Sequence, residues 1–194
     1  LVASLRSQLG QRDQIFIVWQ GRKPGLDPEP RVNTIASSPP NLPRARNTGI
    51  AAGANELVMF LDDDMEVDGT LLEEHGKAYN DARIGCVAGY VDDPVYYSEK
   101  NTPSFFDEST GELVQDFTYP HSTYALSSPG GNVSYRRTVL EEVGGFDENY
   151  KGNALWEEID FAFRLRAAGY GIRYFPGAKV RHFRFSTGGC RQHR

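Results

Sequence analysis

The sequence predicts an α/β fold built on a mostly parallel sheet, and three observations predict it. Residues 14–19 (QIFIVW) and 56–61 (ELVMFL) are short apolar runs with the length and composition of buried strands. Between such runs the apolar residues fall at helical spacing, and strands that alternate with helices build parallel sheets. The second of these runs leads directly into Asp62-Asp63-Asp64. Ligands of open α/β sheets bind beyond the carboxyl ends of strands, so the aspartates stand at a binding edge.

The elements follow in order. Leu1, Leu5 and Leu9 share one helical face. After the first strand, the Gly/Pro-rich residues 21–30 read as a loop and 32–36 as a short strand. Residues 37–43 form a breaker-rich turn, with Pro43 suited to the first turn of a helix over 44–54 that faces Ile50 and Ala54 inward. Beyond the aspartates, 70–80 is helical, packing through Leu71, Leu72 and Tyr79, with His75 on its solvated side; 84–91 is a third strand. Residues 92–124 are aromatic-rich and irregular, longer than ordinary connections, and such segments are often functional. Tyr96, Tyr97, Phe105, Phe106 and Tyr119 are suited either to sugar faces or to packing within the loop. A strand over 132–136 and a helix over 137–143 come next, stopped by Gly144-Gly145. Residues 157–168 form a strong helix with Ile159, Phe161, Phe163 and Leu165 as its apolar residues, and 172–175 and 179–183 are short strands.

The 194 residues suit one well-cored domain, 39% hydrophobic and 24% charged. A net charge of −5 argues against nucleic acid as a partner and leaves local basic spots, such as Arg44 with Arg46, for a small phosphorylated ligand. Cys86 lies in an apolar run and Cys190 beside glycines, which is no disulfide framework, so a reducing, cytoplasmic compartment is expected. No apolar run is long enough to cross a bilayer. The expected relation to a membrane is peripheral association at its inner face.

Two acidic groups bear the chemistry. Adjacent aspartates repel one another unless a cation is present, and in extended backbone Asp62 and Asp64 point to one side, as hard oxygen ligands for Mg²⁺ or Mn²⁺. The alternative is a solvated acidic turn. A calcium loop from Asp64 fails, since Glu66 stands at its third position, His75 replaces the glutamate of its twelfth, and a strand rather than a helix precedes it. The second group, Glu157-Glu158-Ile159-Asp160 after Trp156, opens a helix. It serves either as compensation of the helix dipole or as the source of a general base. Asp160 and Arg164 are one turn apart, an ordinary surface pair or a brace for the site. His182 ends a strand and is either structural, as a lone histidine usually is, or a third protein ligand in a site made by two aspartates.

The order of these motifs is specific. Leu42-Pro43-Arg44-Ala45-Arg46-Asn47-Thr48-Gly49 precedes Leu61-Asp62-Asp63-Asp64; downstream come Gly130-Gly131-Asn132, Val143-Gly144-Gly145-Phe146-Asp147, Glu157-Glu158-Ile159-Asp160-Phe161 and Ala178-Lys179-Val180-Arg181-His182. This arrangement resembles glycosyltransferase family 2, inverting enzymes of the GT-A fold. The resemblance implies a Rossmann-like three-layer α/β/α sandwich with a mostly parallel mixed sheet. It implies that residues 1–194 are one catalytic domain lacking the family's first strand at its N-terminal end.

It also implies roles. Asp62 and Asp64 match the family's metal-binding Asp-x-Asp, with His182 near the metal and diphosphate. Glu157 and Glu158 match an acidic pair whose second member is the base, so Glu158 is the candidate and Glu157 the alternative. Arg44, Arg46, Asn47 and Asp63 fall on the donor side. Gly131, Asn132 and Trp156 fall on the side of the acceptor and transferred sugar. Trp19 and Gln20 stand where relatives carry an acidic residue that contacts the base, either stacking and hydrogen-bonding there or serving the fold. The expected partners are a nucleotide-diphosphate sugar donor and a carbohydrate or lipid-linked acceptor, in cell-surface polysaccharide or glycoconjugate synthesis. Rival readings are a non-catalytic module of the same fold that binds carbohydrate or a partner, and a nucleotidyltransferase, whose Gly-rich basic phosphate loop is not visible.

Overall fold

Most apolar runs named above pair as strands in the computed structural model, which describes residues 1–93, 102–151, 154 and 156–184. In chain order the elements are α1 (Val2–Arg6), β1 (Ile15–Trp19), β2 (Val32–Ala36), α2 (Leu42–Ala52), β3 (Leu57–Leu61), β4 (Met65–Val67), α3 (Leu71–Lys77) and β5 (Ile84–Asp92). Then follow β6 (Ser104–Asp107), β7 (Glu112–Gln115), β8 (Thr123–Ala125), β9 (Asn132–Arg136), α4 (Arg137–Val143), α5 (Glu157–Ala167) and β10 (Gly171–His182).

The main sheet runs β3-β9-β5-β10-β4, with β8 also on β10, while β1 and β2 form a separate parallel pair. The α/β class and the mixed sheet are as expected, but parallel pairing is scarcer than the alternation of elements implies. Only β5 and β10 pair in parallel within the main sheet; β9 lies antiparallel between β3 and β5, and β4 and β8 lie antiparallel to β10. The reason is that β9 re-enters the sheet after a long excursion rather than after a crossover helix. That excursion is not wholly irregular, since β6 and β7 form a hairpin and β8 joins the sheet. Tyr96 and Tyr97 lie outside the described residues, and so does Cys190.

The alternation of β9 defines three layers. Tyr135 packs edge-on against Phe161 of α5, ring centroids 5.1 Å apart, and against Phe146. Ser134 and Asn132 face the other way, toward α3. Cys86, Val133, Leu140, Phe161 and Leu165 are among the buried residues of the core. Phe163, expected to be apolar packing, is exposed, because the buried stripe of α5 runs through Ile159, Phe161, Ala162 and Leu165. Helix α2 stops at Ala52, so Ala54 lies beyond it and exposed. No helix among the described residues is long and apolar enough to cross a membrane.

His75 is not solvated. It lies one turn after Leu71 on the same buried face and is 2% exposed. Its proton can be assigned from its neighbours. The Asn132 amide nitrogen donates to Tyr90 O (2.9 Å) and Ala178 O (3.0 Å), so Asn132 Oδ1 accepts, and His75 Nε2–H donates to it at 3.0 Å. His75 Nδ1 then accepts from the Ser134 hydroxyl at 2.8 Å, and Ser134 Oγ accepts from the Tyr79 hydroxyl at 3.0 Å. Every proton in the chain is in use. Burial pushes the imidazole down to about 4, against the Asn132 hydrogen bond, which favours its charged form.

Linkage then has a definite sign. The folded state holds His75 neutral while the unfolded chain takes up a proton below its ordinary value near 6.5, so stability falls as pH drops through that value toward 4. The expected loss from this residue between pH 7 and pH 5 is about 2 kcal/mol. In urea unfolding across that range, His75→Gln should show a smaller acid-side loss by about that amount. Equal losses in the two proteins would refute the assignment.

Candidate active site

Strand register gathers the acidic motif and its histidine. Leu61, the last residue of β3, pairs with Asn132, so Asp62 emerges beside Gly131. A Cβ at Gly131 would sit 2.4 Å from Asp62 Oδ2, so this position admits glycine. After the turn at Asp63 and Asp64, β4 pairs antiparallel with β10, Met65 opposite His182, and Phe183 N–H donates to Asp64 O at 2.9 Å. His182 Nε2 thereby lies 2.9 Å from Asp64 Oδ1. One ligand atom from each of Asp62, Asp64 and His182 lies within 4.8 Å of the others.

Two carboxylates and one imidazole, all half-buried, fit a divalent cation such as Mn²⁺ or Mg²⁺ that leaves positions for phosphate oxygens. The electrostatics agree. Burial pushes the Asp62 carboxyl above its usual range; Arg46 and His182 oppose this, and Asp64 and Asp63 add to it. A bound dication would favour the ionised form. Asp63 itself is exposed.

The second acidic group is held by an arginine from α2. Glu157 is 1% exposed and ion-paired with Arg46, which also donates from Nη2 to Gly130 O at 2.9 Å. The Arg46 guanidinium lies over the rings of Phe146 (5.1 Å) and Phe60 (5.8 Å). A Cβ at Gly130 would come within 2.8 Å of Arg46 Nη2, so both glycines of the Gly130-Gly131 motif have a steric reason. Burial pushes Glu157 up to about 7, against the pull of Arg46 and with the help of Glu158. Glu158, half-buried, is also raised, first by burial. Arg46 joins Glu157 to Gly130 O, next to the Gly131 that abuts Asp62, and both carboxyls feel the charge of Asp62, so the two acidic groups are neighbours.

Several expected ligand-binding residues are engaged within the protein instead. Arg46 is the partner of Glu157. Arg44 pairs with Glu148 at 2.8 Å. The Asn47 amide donates to Phe146 O and accepts from Phe146 N–H, both at 2.9 Å, so it straps the Gly144–Gly145 turn to α2. Asn132, expected beside the acceptor, is fully buried by the hydrogen bonds described above. Gln20 donates to Asn41 O at 2.6 Å from the end of β1, where Trp19 is half-buried. Trp156, with φ of 75°, caps α5 and is 54% exposed. Asp160 and Arg164 form their helix pair at 2.7 Å.

One residue that sequence reasoning missed is Asp93, buried just past β5 and bonded to His182 and Arg184. The available signal was an acidic residue at the end of a buried strand, the same signal that marks Asp62.

Residues 57–193 match the family model described as Glycosyl transferase family group 2. The pre-mycofactocin glycosyltransferase of Mycobacterium tuberculosis is 33% identical over 144 residues, which cover 71% of this chain and 29% of the relative. The O-antigen chain rhamnosyltransferase WbaN of Salmonella anatum is 30% identical over 161 residues, 77% of this chain and 49% of the relative. The chain thus spans half or less of either relative. Among solved structures, the mannosyltransferase PcManGT from Pyrobaculum calidifontis in complex with GDP-Man and Mn²⁺ gives a TM-score of 0.68 at 17% identity, over 96% of this chain and 53% of that one. GalNAc-T7 with UDP, GalNAc and Mn²⁺ gives 0.64 at 16% identity, over 78% and 32%. Both likenesses bear on the fold, which is the expected GT-A fold.

The Arg46–Glu157 pair has a measurable signature. Glu157 is raised, so its contribution to stability is present at acid pH and lost as pH rises toward 7. Arg46→Met removes the opposing charge and extends that loss upward. Between pH 7 and 8.5 its unfolding free energy should keep falling, by up to about 1.4 kcal/mol per pH unit, while the wild type is nearly level. Adding Glu157→Gln should remove the slope. A flat profile for Arg46→Met would contradict the pairing.

Proposed function

This chain belongs to glycosyl transferase family group 2, and we propose that it serves in the transfer of a sugar, with inversion, from a nucleotide-diphosphate sugar to an acceptor hydroxyl. The observation that carries the proposal is the convergence of Asp62, Asp64 and His182 beside Glu157 and Glu158. Asp62, Asp64 and His182 would hold Mn²⁺ or Mg²⁺. When bound, the ion neutralises the negative charge that develops on the departing nucleotide diphosphate.

The remaining steps belong to the chain. Glu158 takes the proton of the acceptor hydroxyl as the acceptor oxygen bonds to the anomeric carbon and the bond from that carbon to the diphosphate oxygen breaks. Glu157, fixed by Arg46, is the poorer base, because its carboxylate is engaged and enclosed. It holds the start of α5 and the neighbouring Glu158 in place. On this reading Asp63, exposed on the metal turn, serves the donor side, Trp19 and Gln20 the nucleoside, and Gly131 with the exposed Trp156 the transferred sugar and acceptor. The acceptor is a carbohydrate or a lipid-linked carbohydrate, as in cell-surface polysaccharide or glycoconjugate synthesis. The compartment is cytoplasmic, at the inner face of the membrane when the acceptor is lipid-linked. The likeness to an O-antigen chain rhamnosyltransferase supports the glycoconjugate acceptor.

Turnover of nucleotide sugars, assayed as donor hydrolysis or transfer with Mn²⁺ and with EDTA, tests the proposal. Glu158→Gln should lower transfer by at least about a hundredfold, the usual contribution of a general base, while sparing donor binding. Asp64→Ala should weaken Mn²⁺-dependent donor binding. Full transfer by Glu158→Gln would remove the base assignment, and no metal-dependent turnover with any nucleotide sugar would leave a non-catalytic carbohydrate-binding or partner-binding module.

A further inference from the structure

We propose that Asp93 is a positioning residue for the metal site: from the interior it holds the His182 ring so that Nε2 faces the ion shared by Asp62 and Asp64. The inference rests on the reading of Asp62, Asp64 and His182 as metal ligands.

Asp93 is 3% exposed, and its side chain is wholly enclosed. A buried carboxylate is costly without charge-assisted partners. Asp93 has two. Arg184 Nε donates to its oxygens at 2.7 and 2.5 Å, and His182 Nδ1 lies 3.0 Å from Oδ2. The other ring nitrogen, Nε2, lies 2.9 Å from Asp64 Oδ1. The imidazole is therefore threaded between a carboxylate of the site and one behind it.

That arrangement orders the ring's proton. A neutral imidazole has one N–H. To present a lone pair to a cation at the Asp64 side, Nε2 must be bare and Nδ1 must hold the proton. Asp93 is the acceptor on the Nδ1 side, in the pattern by which carboxylates orient metal-binding histidines. Asp93 is not itself a ligand, since the groups within mutual reach are Asp62, Asp64 and His182 among the described residues. Arg184 Nε engages both oxygens of the carboxylate. The backbone supports the placement, because Asp92 is paired with Arg181 across β5 and β10, so Asp93 and His182 leave the sheet side by side.

The test is Mn²⁺ affinity, read by electron paramagnetic resonance of the free ion, for wild type and Asp93→Asn, with circular dichroism of the metal-free proteins alongside. Asp93→Asn keeps the size and removes the charge. It should bind Mn²⁺ about 10- to 100-fold more weakly with an unchanged metal-free spectrum, and Asp93→Glu should restore part of the loss. Affinity within about twofold of wild type in Asp93→Asn overturns the inference. The wild type provides a measurement independent of any Asp93 variant's folding. With Zn²⁺ as a diamagnetic stand-in, long-range ¹H–¹⁵N spectra should show His182 protonated on Nδ1, its signals assigned by their loss in His182→Gln. A proton on Nε2 overturns the inference. Wild type that binds no Mn²⁺ refutes the metal reading and this inference with it, whereas wild-type binding with an unaffected Asp93→Asn refutes this inference alone.

Discussion

The site depends on the course of the second half of β10, and one buried amide fixes that course. Between Phe175 and Lys179 the pairing of β10 with β5 slips in register. At the slip, Asn132 of β9 donates to Tyr90 O of β5 and Ala178 O of β10, filling the positions the ladder leaves open. Unpaired backbone carbonyls in an interior are costly, so the amide and the irregularity belong together. Gly89 completes the arrangement: a Cβ there would lie 2.2 Å from Asn132 Nδ2 and 2.4 Å from Ala178 O. Past this point β10 takes up β4 as a partner, and the Met65–His182 register sets His182 on Asp64. A residue with no exposed surface thus determines where an exposed chemistry assembles. Its oxygen is held by His75, so the helix behind the sheet joins the same constraint.

Much of this was legible in the sequence, for reasons that individual residues make clear. The strand ending in Asp62 was readable because an apolar run followed by acids has few other solutions at a sheet edge. Cys86 and Phe161 sit in the core because their neighbours are apolar at the right period. Other features depended on tertiary partners. His75 and Asn132 are polar residues whose burial follows from each other, and no local pattern encodes a mutual hydrogen bond. The direction of β9 was missed because alternation of strands and helices says nothing of a strand that returns after a hairpin. Strand β4 is only three residues long, too short for periodicity to mark.

The site residues divide along the same line. Sequence order drew Asp62, Asp64, His182, Glu157 and Glu158 together, and the fold brings them to one place. It did not separate ligand-facing arginines from structural ones. Arg46 looked available for phosphate because its motif precedes the metal motif. Its burial between two aromatic rings, with Glu157 and Gly130 as partners, is invisible until α2 and α5 are packed. Asn47 and Arg44 belong to the same surface of α2 and bind the turn that leads to α5. The helix upstream of the metal motif therefore acts as a clamp on the downstream acidic pair.

The two acidic groups are stabilised in different ways, and this separates their chemistry. Glu157 has its countercharge inside the protein, from Arg46, with aromatic faces behind it. Arg46 holds its Oε1, while its buried Oε2 has no hydrogen-bond partner among the described residues. Beside Asp62 and Asp64 stand a histidine shared with Asp93 and the more distant field of Arg46, and burial pushes Asp62 upward. That cluster gains most from an external cation, which would lower the cost of keeping its carboxylates ionised. Under the proposed function a donor bearing two phosphates would meet a cluster of negative protein charge, and its attraction would come through the ion. Arg46 is engaged by Glu157 and Gly130 O. The Asp62–Asp64 end would thus take its countercharge from a bound cation, while Glu157 has its own from Arg46, and under the proposed function donor capture and proton removal are set by separate residues within one site.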